Sequence, residues 1–291
     1  MEIKFILFTE VFVYNLIMIK FKLILGYLVL IICAFTMLYP FFAMLNLSFA
    51  HNADFFAAQN IFFNSNLTLE NYKNLFNDIP IFRYFLNSLF VAVAAALGQI
   101  IISTAAGYAF ARMDFKFRDG LFLIILVTMM IPPQVNIIPL FFMMRELHLI
   151  NTYWALILPS IFGGFGIFMM RQYFLSFPKE LEDASKIDGC NYLQMFFKVV
   201  MPLAVPMLVT LAIFTFVSTW NSFMWPLIVT NTDSMRTLPV GLAFYKGSFR
   251  ELTQWGELLA CATICTLPVI GLFIAGKKYF INDILLGGVK E

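Results

Sequence analysis

The stretch YFLNSLFVAVAAALGQIIISTAAGYAFA, which runs from Tyr84 to Ala111, decides the fold. It exceeds the roughly 20 residues that a helix needs to cross a lipid bilayer, and it contains no Asp, Glu, Lys, Arg or His. Strands of a membrane barrel are short and alternate apolar with polar residues, whereas this run is continuously apolar or small. The stretch therefore predicts a transmembrane α-helix.

The composition of the whole chain agrees with this prediction. Of 291 residues, 61% are apolar, 36 are Phe and only 12% are charged, against about 25% charged in soluble domains. A lipid solvent accommodates such a surface, whereas water does not. The apolar runs predict an all-α polytopic membrane protein with six transmembrane helices, at residues 21–49, 84–111, 120–144, 153–170, 203–229 and 258–276.

The segments between the runs complete the predicted domain organisation. Residues 1–20 form a cytoplasmic or interfacial N-terminal segment, and Met18 is an alternative start because residues 1–17 are too polar and short to cross. Residues 50–83 form an extracytoplasmic loop with a short helix near Leu69 to Phe76. Residues 84–276 form a core of five helices that includes a cytoplasmic loop at 174–202, and residues 277–291 form a cytoplasmic tail.

The distribution of Lys and Arg predicts the orientation, since positively charged short loops stay in the cytoplasm. An inside N-terminus assigns thirteen of the nineteen basic residues to the cytoplasm, and the bias holds loop by loop. Both termini are therefore expected in the cytoplasm, with the protein in a bacterial inner membrane. The thirteen residues are Lys4, Lys20, Lys22, Arg112, Lys116, Arg118, Arg171, Lys179, Lys186, Lys198, Lys277, Lys278 and Lys290.

Several function classes lose support because their residues are missing. The predicted spans carry no ionisable side chain away from their edges, and an ion-coupled carrier keeps such groups despite a cost of about 2.5 to 3.5 kcal/mol each. A secondary transporter with a backbone-built sodium site stays the alternative, followed by a membrane enzyme. The sequence contains no HExxH or GxSxG motif and no metal or disulfide spacing among its four Cys residues, so we expect a transport subunit without catalytic residues, metal or bound cofactor.

Two features of the spans bear on the transport path. Pro132-Pro133-Gln134 removes backbone donors inside the third run and predicts a helix break, which either lines a water-filled route or merely ends a helix. An aromatic ring and an amide suit a polyol, so Trp220 and Asn221 are candidates for stacking on such a solute and hydrogen bonding to it, with core packing the equal alternative. Ser103, Gly107 and Ala111, and Ala94 with Gly98, form small-residue lines that favour close helix packing.

The loop at 174–202 has the pattern of a helix, a glycine turn and a second helix. Pro178 suits a first helical turn, Glu180 and Glu182 complement the positive helix end, and Gly189 can adopt the left-handed stop. Tyr192, Met195, Phe196 and Val199 then recur at helical spacing before Pro202 and Pro206. A helix this short is marginal alone, so we expect it to dock on something.

This loop resembles the cytoplasmic E-A-A loop of ATP-binding-cassette (ABC) importer permeases, whose pattern is E-A-A-x-x-x-G-x9-I-x-L-P. Here it occurs as Asp183-Ala184-Ser185, Gly189, nine residues, and Val199-Val200-Met201-Pro202. From about residue 68 onward the chain resembles the smaller permease of maltose-type sugar importers. Ile131-Pro132-Pro133-Gln134 and Trp220-Asn221 are among the stretches that carry this resemblance. Asp183 and Ser185 depart from the pattern conservatively, and Asp283 stands where that family often has Gly.

The resemblance implies the type I ABC importer permease fold (the MetI-like fold) and a division of labour. A solute-binding protein would deliver sugar outside, a second permease would complete the path as a heterodimer, and two ATPase subunits would use ATP and Mg. No nucleic-acid partner is expected at a net charge of +2. The implied ATPase-coupling residues are Glu182, Asp183, Ala184, Ser185, Ile187, Asp188, Gly189 and Pro202.

Overall fold

A computed structural model describes the backbone of residues 2–51, 67–248 and 255–287. Within these ranges the chain is helical, apart from one isolated antiparallel bridge between Ala50 and Leu67. A 3-10 turn at Pro133–Asn136 and a π-helical turn at Phe196–Val200 interrupt the α-helices. The α-helices are α1 (Glu2–Ser48), α2 (Glu70–Asp78), α3 (Ile81–Arg112), α4 (Arg118–Met130), α5 (Ile137–Glu146), α6 (Tyr153–Ile161), α7 (Gly164–Ser176), α8 (Lys179–Ile187), α9 (Tyr192–Met195), α10 (Met201–Leu203), α11 (Val205–Trp220), α12 (Met224–Val229), α13 (Leu238–Ser248) and α14 (Trp255–Gly287).

Four stretches are long and apolar enough to cross a membrane: Lys20–Ser48, Ile81–Arg112, Tyr153–Ser176 and Trp255–Lys278. Two bent helix pairs also qualify when each is taken as one span. Arg118–Met130 and Pro133–Glu146 meet at 95°, and Leu193–Leu203 and Val205–Trp220 meet at 74°. The described residues thus hold four to six candidate spans, and the prediction of a break at Pro132-Pro133 is confirmed.

Several predicted boundaries are wrong. The run at 203–229 is not one helix, because α11 ends at Trp220 and α12 starts anew at Met224, while the apolar segment before the bend begins at Leu193. Helix α14 continues to Gly287, beyond the candidate span that ends at Lys278, and residues 288–291 lie outside the described residues. The cytoplasmic location of residues 277–291 stays a prediction. The prediction lacked the interruption between α6 and α7, and it lacked helix α13.

The cytoplasmic or interfacial location of residues 1–20 stays a prediction. The backbone of α1 begins at Glu2, so residues 2–20 continue the helix of the first apolar run. Helix α2 confirms the short helix expected near Leu69 to Phe76, and residues 52–66 of that loop lie outside the described residues.

The chain divides into two compact units, one of which comprises residues 1–74 and 254–263. In this unit the Asn71 side-chain amide donates to the carbonyl oxygens of Ser48 (2.9 Å) and Ala50 (2.7 Å), which satisfies acceptors at the end of α1. The Asn74 amide donates to the buried carboxylate of Glu257 at 3.0 Å. Polar side chains therefore fasten α1, α2 and the start of α14 together.

The other unit comprises residues 75–253 and 264–291, and helix α3 runs through its centre against α6, α7 and α11. Small residues make the close approach possible. A Cβ atom added at Gly107 would lie 2.6 Å from the Met170 Cβ of α7, and one at Gly98 would lie 2.7 Å from Ile161. The prediction that these small-residue lines serve helix packing is confirmed.

Candidate functional site

The sequence of helix α8 favours both of its ends, through charge at the start and through a glycine stop at the finish. Glu180 and Glu182 lie in its first turn, where negative charge complements the helix dipole. At the other end the amide of Asp188 donates to the carbonyl of Ala184, and the amide of Cys190 to that of Ser185, while Gly189 adopts φ +80°. The predicted helix and its left-handed stop are confirmed, and hydrogen bonds close the C-terminal end of α8.

The predicted coupling residues fall on two faces of this helix. Asp183, Ala184, Ile187, Asp188 and Gly189 are exposed, and Ile187 retains 86% of its surface although it is apolar. Glu182 and Ser185 are buried against the chain itself. The exposed residues can therefore meet another protein, whereas Glu182 and Ser185 hold α8 in place.

Glu182 pairs with Arg112 at the end of α3. The Arg112 Nε lies 3.0 Å from the Glu182 Oε1, and the two side chains are 6% and 10% exposed. The N–H bond is not aimed at this oxygen, so the contact is an ion pair rather than an aligned hydrogen bond. The other arm of Arg112 donates to the carbonyl of Phe177, the residue that ends α7.

The second helix of the loop begins at Tyr192 and leads into the candidate span that bends before Val205. Asn191 and Gln194 cap its start reciprocally, with bonds of 3.1 and 2.8 Å between each amide N–H and the other side chain. The π-helical turn then shifts the register by one residue, so Val200 is buried and Val199 only partly. Pro202 is exposed in α10, directly before the 74° bend.

A cavity of about 960 Å³ lies among α3 to α7, α11 and α12. Three interruptions of helices meet at it: Ile131 to Pro133, Phe162 to Gly163, and Ser222 to Phe223. Hydroxyl and amide side chains share its wall with aromatic rings, and no Asp, Glu, Lys, Arg or His lines it among the described residues. This is a wall that offers hydrogen bonds and flat apolar faces without charge.

Gln99 of α3 holds one of these interruptions open. Its Nε2 donates to the Gly163 carbonyl at 3.0 Å, and its Oε1 accepts from the Gly163 amide at 3.1 Å. The side chain thus replaces the helical partners that Gly163 lacks between α6 and α7. A further bond to Ser103 Oγ at 2.9 Å fixes its orientation. Sequence reasoning missed Gln99, although an amide in an otherwise apolar run was the available signal.

Of the residues predicted to line the transport path, some line the cavity and others do not. Pro133 and Gln134 line the cavity, and Pro132 lies next to them in the break. Trp220 is 2% exposed, stacks on Phe216, and donates its indole N–H to the Cys265 carbonyl at 3.0 Å. Trp220 is thus a core residue here, and neither it nor the exposed Asn221 lines the cavity.

Trp225 lines the cavity five residues further along the chain. Its indole N–H donates to the Ala155 carbonyl at 2.8 Å, which fixes the ring in the wall. Sequence reasoning placed it inside one long span and missed it, because the break after Trp220 carries no proline.

Comparison with protein families identifies the class of protein. Residues 99–284, which hold α8, Gln99 and all three helix interruptions, match the model of the binding-protein-dependent transport system inner membrane component. The chain belongs to this family of transport permeases. The family match begins at Gln99 itself, and it leaves α1 and α2 outside.

Individual relatives agree with this assignment. The chain is 40% identical over 229 residues to the arabinooligosaccharides transport system permease protein AraQ of Halalkalibacterium halodurans, covering 77% of this chain and 80% of the relative. It is 35% identical to the sulfoquinovosyl glycerol transport system permease protein SmoH of Agrobacterium fabrum, covering 77% of this chain and 78% of that protein.

A solved structure shares the fold. One chain of a bacterial ABC transporter involved in the import of the acidic polysaccharide alginate superposes with a TM-score of 0.80 at 24% identity, covering 88% of this chain and 95% of that chain. At this identity the likeness shows the fold alone. The fold expected from the sequence, an all-α importer permease, is confirmed in its class.

Proposed function

We propose that the chain is a permease subunit of an ATP-driven, binding-protein-dependent importer and that it carries neutral sugars. The cavity wall is the observation that carries this proposal. Sugars present hydroxyl groups at their edges and apolar C–H faces, which amide and hydroxyl side chains beside aromatic rings suit. The similarity to a permease for arabinooligosaccharides supports the same substrate class.

The absence of charge from the described cavity wall favours a neutral oligosaccharide over an anion. A phosphate or sulfonate that leaves water needs Arg, Lys or ordered backbone donors as partners. The cavity wall instead offers polar side chains such as Gln134, Asn136 and Ser222, together with the aromatic ring of Trp225. A volume of about 960 Å³ accommodates an oligosaccharide, since small-molecule sites span roughly 300 to 1,000 Å³.

Driving energy enters, in this proposal, through α8. Two ATPase subunits hold ATP and Mg, and one of them receives the exposed face formed by Asp183, Ala184 and Ile187. Gly189 ends the helix at this face. A second permease subunit completes the path as a heterodimer, and an extracytoplasmic solute-binding protein delivers the sugar. A partner that covers Ile187, which is 86% exposed, would remove its apolar surface from water.

The membrane arrangement that goes with this function has six spans, with each bent pair counted once, and both termini in the cytoplasm of a bacterial cell. The bias of Lys and Arg supports it. Cysteine introduced at Ala184 or Ile187 in a cysteine-free variant should react with an impermeant maleimide in inside-out vesicles and stay unlabelled in intact cells. Labelling in intact cells would contradict both the topology and the role of α8.

Uptake by the reconstituted complex tests the function. Proteoliposomes that contain the chain, its partner permease and both ATPase subunits should accumulate labelled arabinotriose when ATP and the binding protein are supplied. Labelled sn-glycerol 3-phosphate and sulfoquinovosyl glycerol should enter more slowly. Uptake by the purified chain alone down an ion gradient would instead favour a secondary transporter.

A further inference from the structure

Arg112 joins the ends of three helices. It is the last residue of α3, its Nη2 donates to the carbonyl of Phe177 where α7 ends, and its Nε lies 3.0 Å from the Glu182 carboxylate in the first turn of α8. Each contact places charge where a helix end favours it, since carbonyl ends attract a cation and an amide end attracts an anion. The guanidinium of Arg112, carried by the last residue of α3, therefore contacts the carbonyl that follows α7 and the carboxylate at the amide end of α8.

Stability alone gives a poor account of this buried pair. Two side chains that are 6% and 10% exposed lose most of their hydration, and apolar residues of similar volume are often as stabilising in such places. Removal of one partner, by contrast, leaves an uncompensated charge. What a buried ion pair supplies is a fixed relative position of the elements that carry it.

The neighbouring Arg118 offers an internal contrast. Its guanidinium contacts Asp114 at 2.9 Å and Asp119 at 3.2 Å, with the arginine 31% exposed and the acids 97% and 77% exposed. Both of these acids lie within four residues of Arg118 in the chain, so the contacts are local and solvent-screened. Arg112, in contrast, bridges elements that lie 65 and 70 residues further along the chain.

Helix α3 leads from this contact to the cavity. Gly107 lies against Met170 of α7, and Gln99 holds Gly163 at the interruption that forms part of the cavity wall. Gln99 and Arg112 belong to one uninterrupted helix, about 20 Å apart at 1.5 Å per residue. Helix α3 thus connects the contact with α8 at one end to the cavity wall at the other.

We propose that the Arg112–Glu182 ion pair is the joint that makes α3 and α7 follow α8 when the ATPase subunits close. This inference rests on the proposed function, and it gives Glu182 a role inside the permease rather than on the ATPase surface. Arg112 and Glu182 are positioning residues, which act through the helices that they connect. Their loss should lower the amount of sugar moved per ATP hydrolysed, while α8 still docks.

A double-mutant cycle in the complete reconstituted complex tests the joint. The variants are Glu182→Gln, Arg112→Gln and the two combined, with Arg118→Gln as the matched control at the exposed pair. Arabinotriose uptake and ATP hydrolysis are measured on the same proteoliposomes and normalised to assembled complex. Docking of α8 is followed by disulfide cross-linking between Ala184→Cys and the ATPase subunit.

We expect each single variant to lower uptake per ATP about tenfold, within the usual range of coupling between sites. The combined variant should be no worse than either single variant, because both remove the same contact. Cross-linking from position 184 should stay at the wild-type level, and Arg118→Gln should couple normally.

Three results would overturn the joint. Normal uptake per ATP in Glu182→Gln would do so, as would defects that add in the combined variant. A set of variants in which only the yield of complex falls would reduce the pair to a structural staple. Failure of the proposed function is distinguishable, since the wild-type complex itself would then show no ATP-dependent uptake of arabinotriose.

Discussion

Helix α8 and the cavity are built on opposite principles. Helix α8 is short and charged, with acidic residues in its first turn and Gly189 in the left-handed region that caps its C-terminal end. The cavity is uncharged in its described lining, and it is formed where three helices are interrupted. A capped rod keeps its shape under load, whereas a wall of helix interruptions can change conformation without breaking long hydrogen-bond ladders. Helix α8 is thus suited to transmit force, and the cavity is suited to let a solute pass.

The packing of α3 on α7 connects the two regions, so its loss should affect both. Gly107→Leu places a side chain where even a Cβ atom lies 2.6 Å from Met170 Cβ and 2.9 Å from the Arg171 backbone nitrogen. We expect a cost at or beyond the upper end of the roughly 1 to 3 kcal/mol of overpacking, measured as loss of assembled complex in detergent. Gly120→Ala is the control, since nothing lies within 4 Å of its Cβ position. Normal assembly of Gly107→Leu would show that this contact can yield.

Gln99→Leu should damage the cavity and leave α8 intact. The substitution leaves the amide and carbonyl of Gly163 without their side-chain partner, at about 0.5 to 1.5 kcal/mol for each hydrogen bond lost at this part-buried position. We expect arabinotriose uptake to fall strongly while cross-linking of α8 to the ATPase subunit is unchanged. Gln172→Leu, at an exposed amide of α7, is the matched control. Full uptake in Gln99→Leu would mean that water satisfies Gly163 equally well.

Gly189→Val should damage α8 and leave the cavity intact. Gly189 has φ +80° with open space around its Cβ position, so a β-branched residue meets backbone strain of about 1 to 3 kcal/mol and no clash. We expect uptake per ATP to fall, while arabinotriose binding by the complex is retained. Asn tolerates the left-handed region, so Gly189→Asn should be milder. Equal uptake per ATP in the Val and Asn variants would contradict a need for this stop.

The two regions also differ in how far the sequence predicts them. Helix α8 is contiguous and follows local rules, so Pro178, the acids of its first turn and Gly189 sufficed to predict it. The pairing of Glu182 with Arg112 was beyond reach, because it joins residues 70 apart through tertiary packing. The same limit explains why the side of α8 that faces the chain was not predicted.

The cavity was only partly predictable for a related reason. The break at Pro132-Pro133 follows from missing backbone donors and was predicted. The interruptions at Gly163 and Ser222 carry no proline at the break, and Gln99 stabilises the first of them from another helix. The local sequence at Gly163 does not reveal that a side chain from another helix replaces its helical hydrogen bonds. The apolar runs therefore predict where candidate spans lie better than they predict where those spans bend.

Substitution of two tryptophans, one in the core and one in the cavity wall, should give the smallest of these effects. Trp220 and Trp225 each donate an indole N–H to a backbone carbonyl, of Cys265 at 3.0 Å and Ala155 at 2.8 Å. Phe at either position keeps an aromatic ring and loses about 1 kcal/mol of hydrogen bonding. In Trp220→Phe this loss should appear as lower thermal stability with normal sugar binding, because Trp220 is buried against Phe216. In Trp225→Phe the ring in the cavity wall loses its anchor, so arabinotriose binding to the complex without binding protein should weaken a few-fold. Weaker sugar binding in Trp220→Phe together with normal binding in Trp225→Phe would show that Trp220, and not Trp225, contacts the sugar.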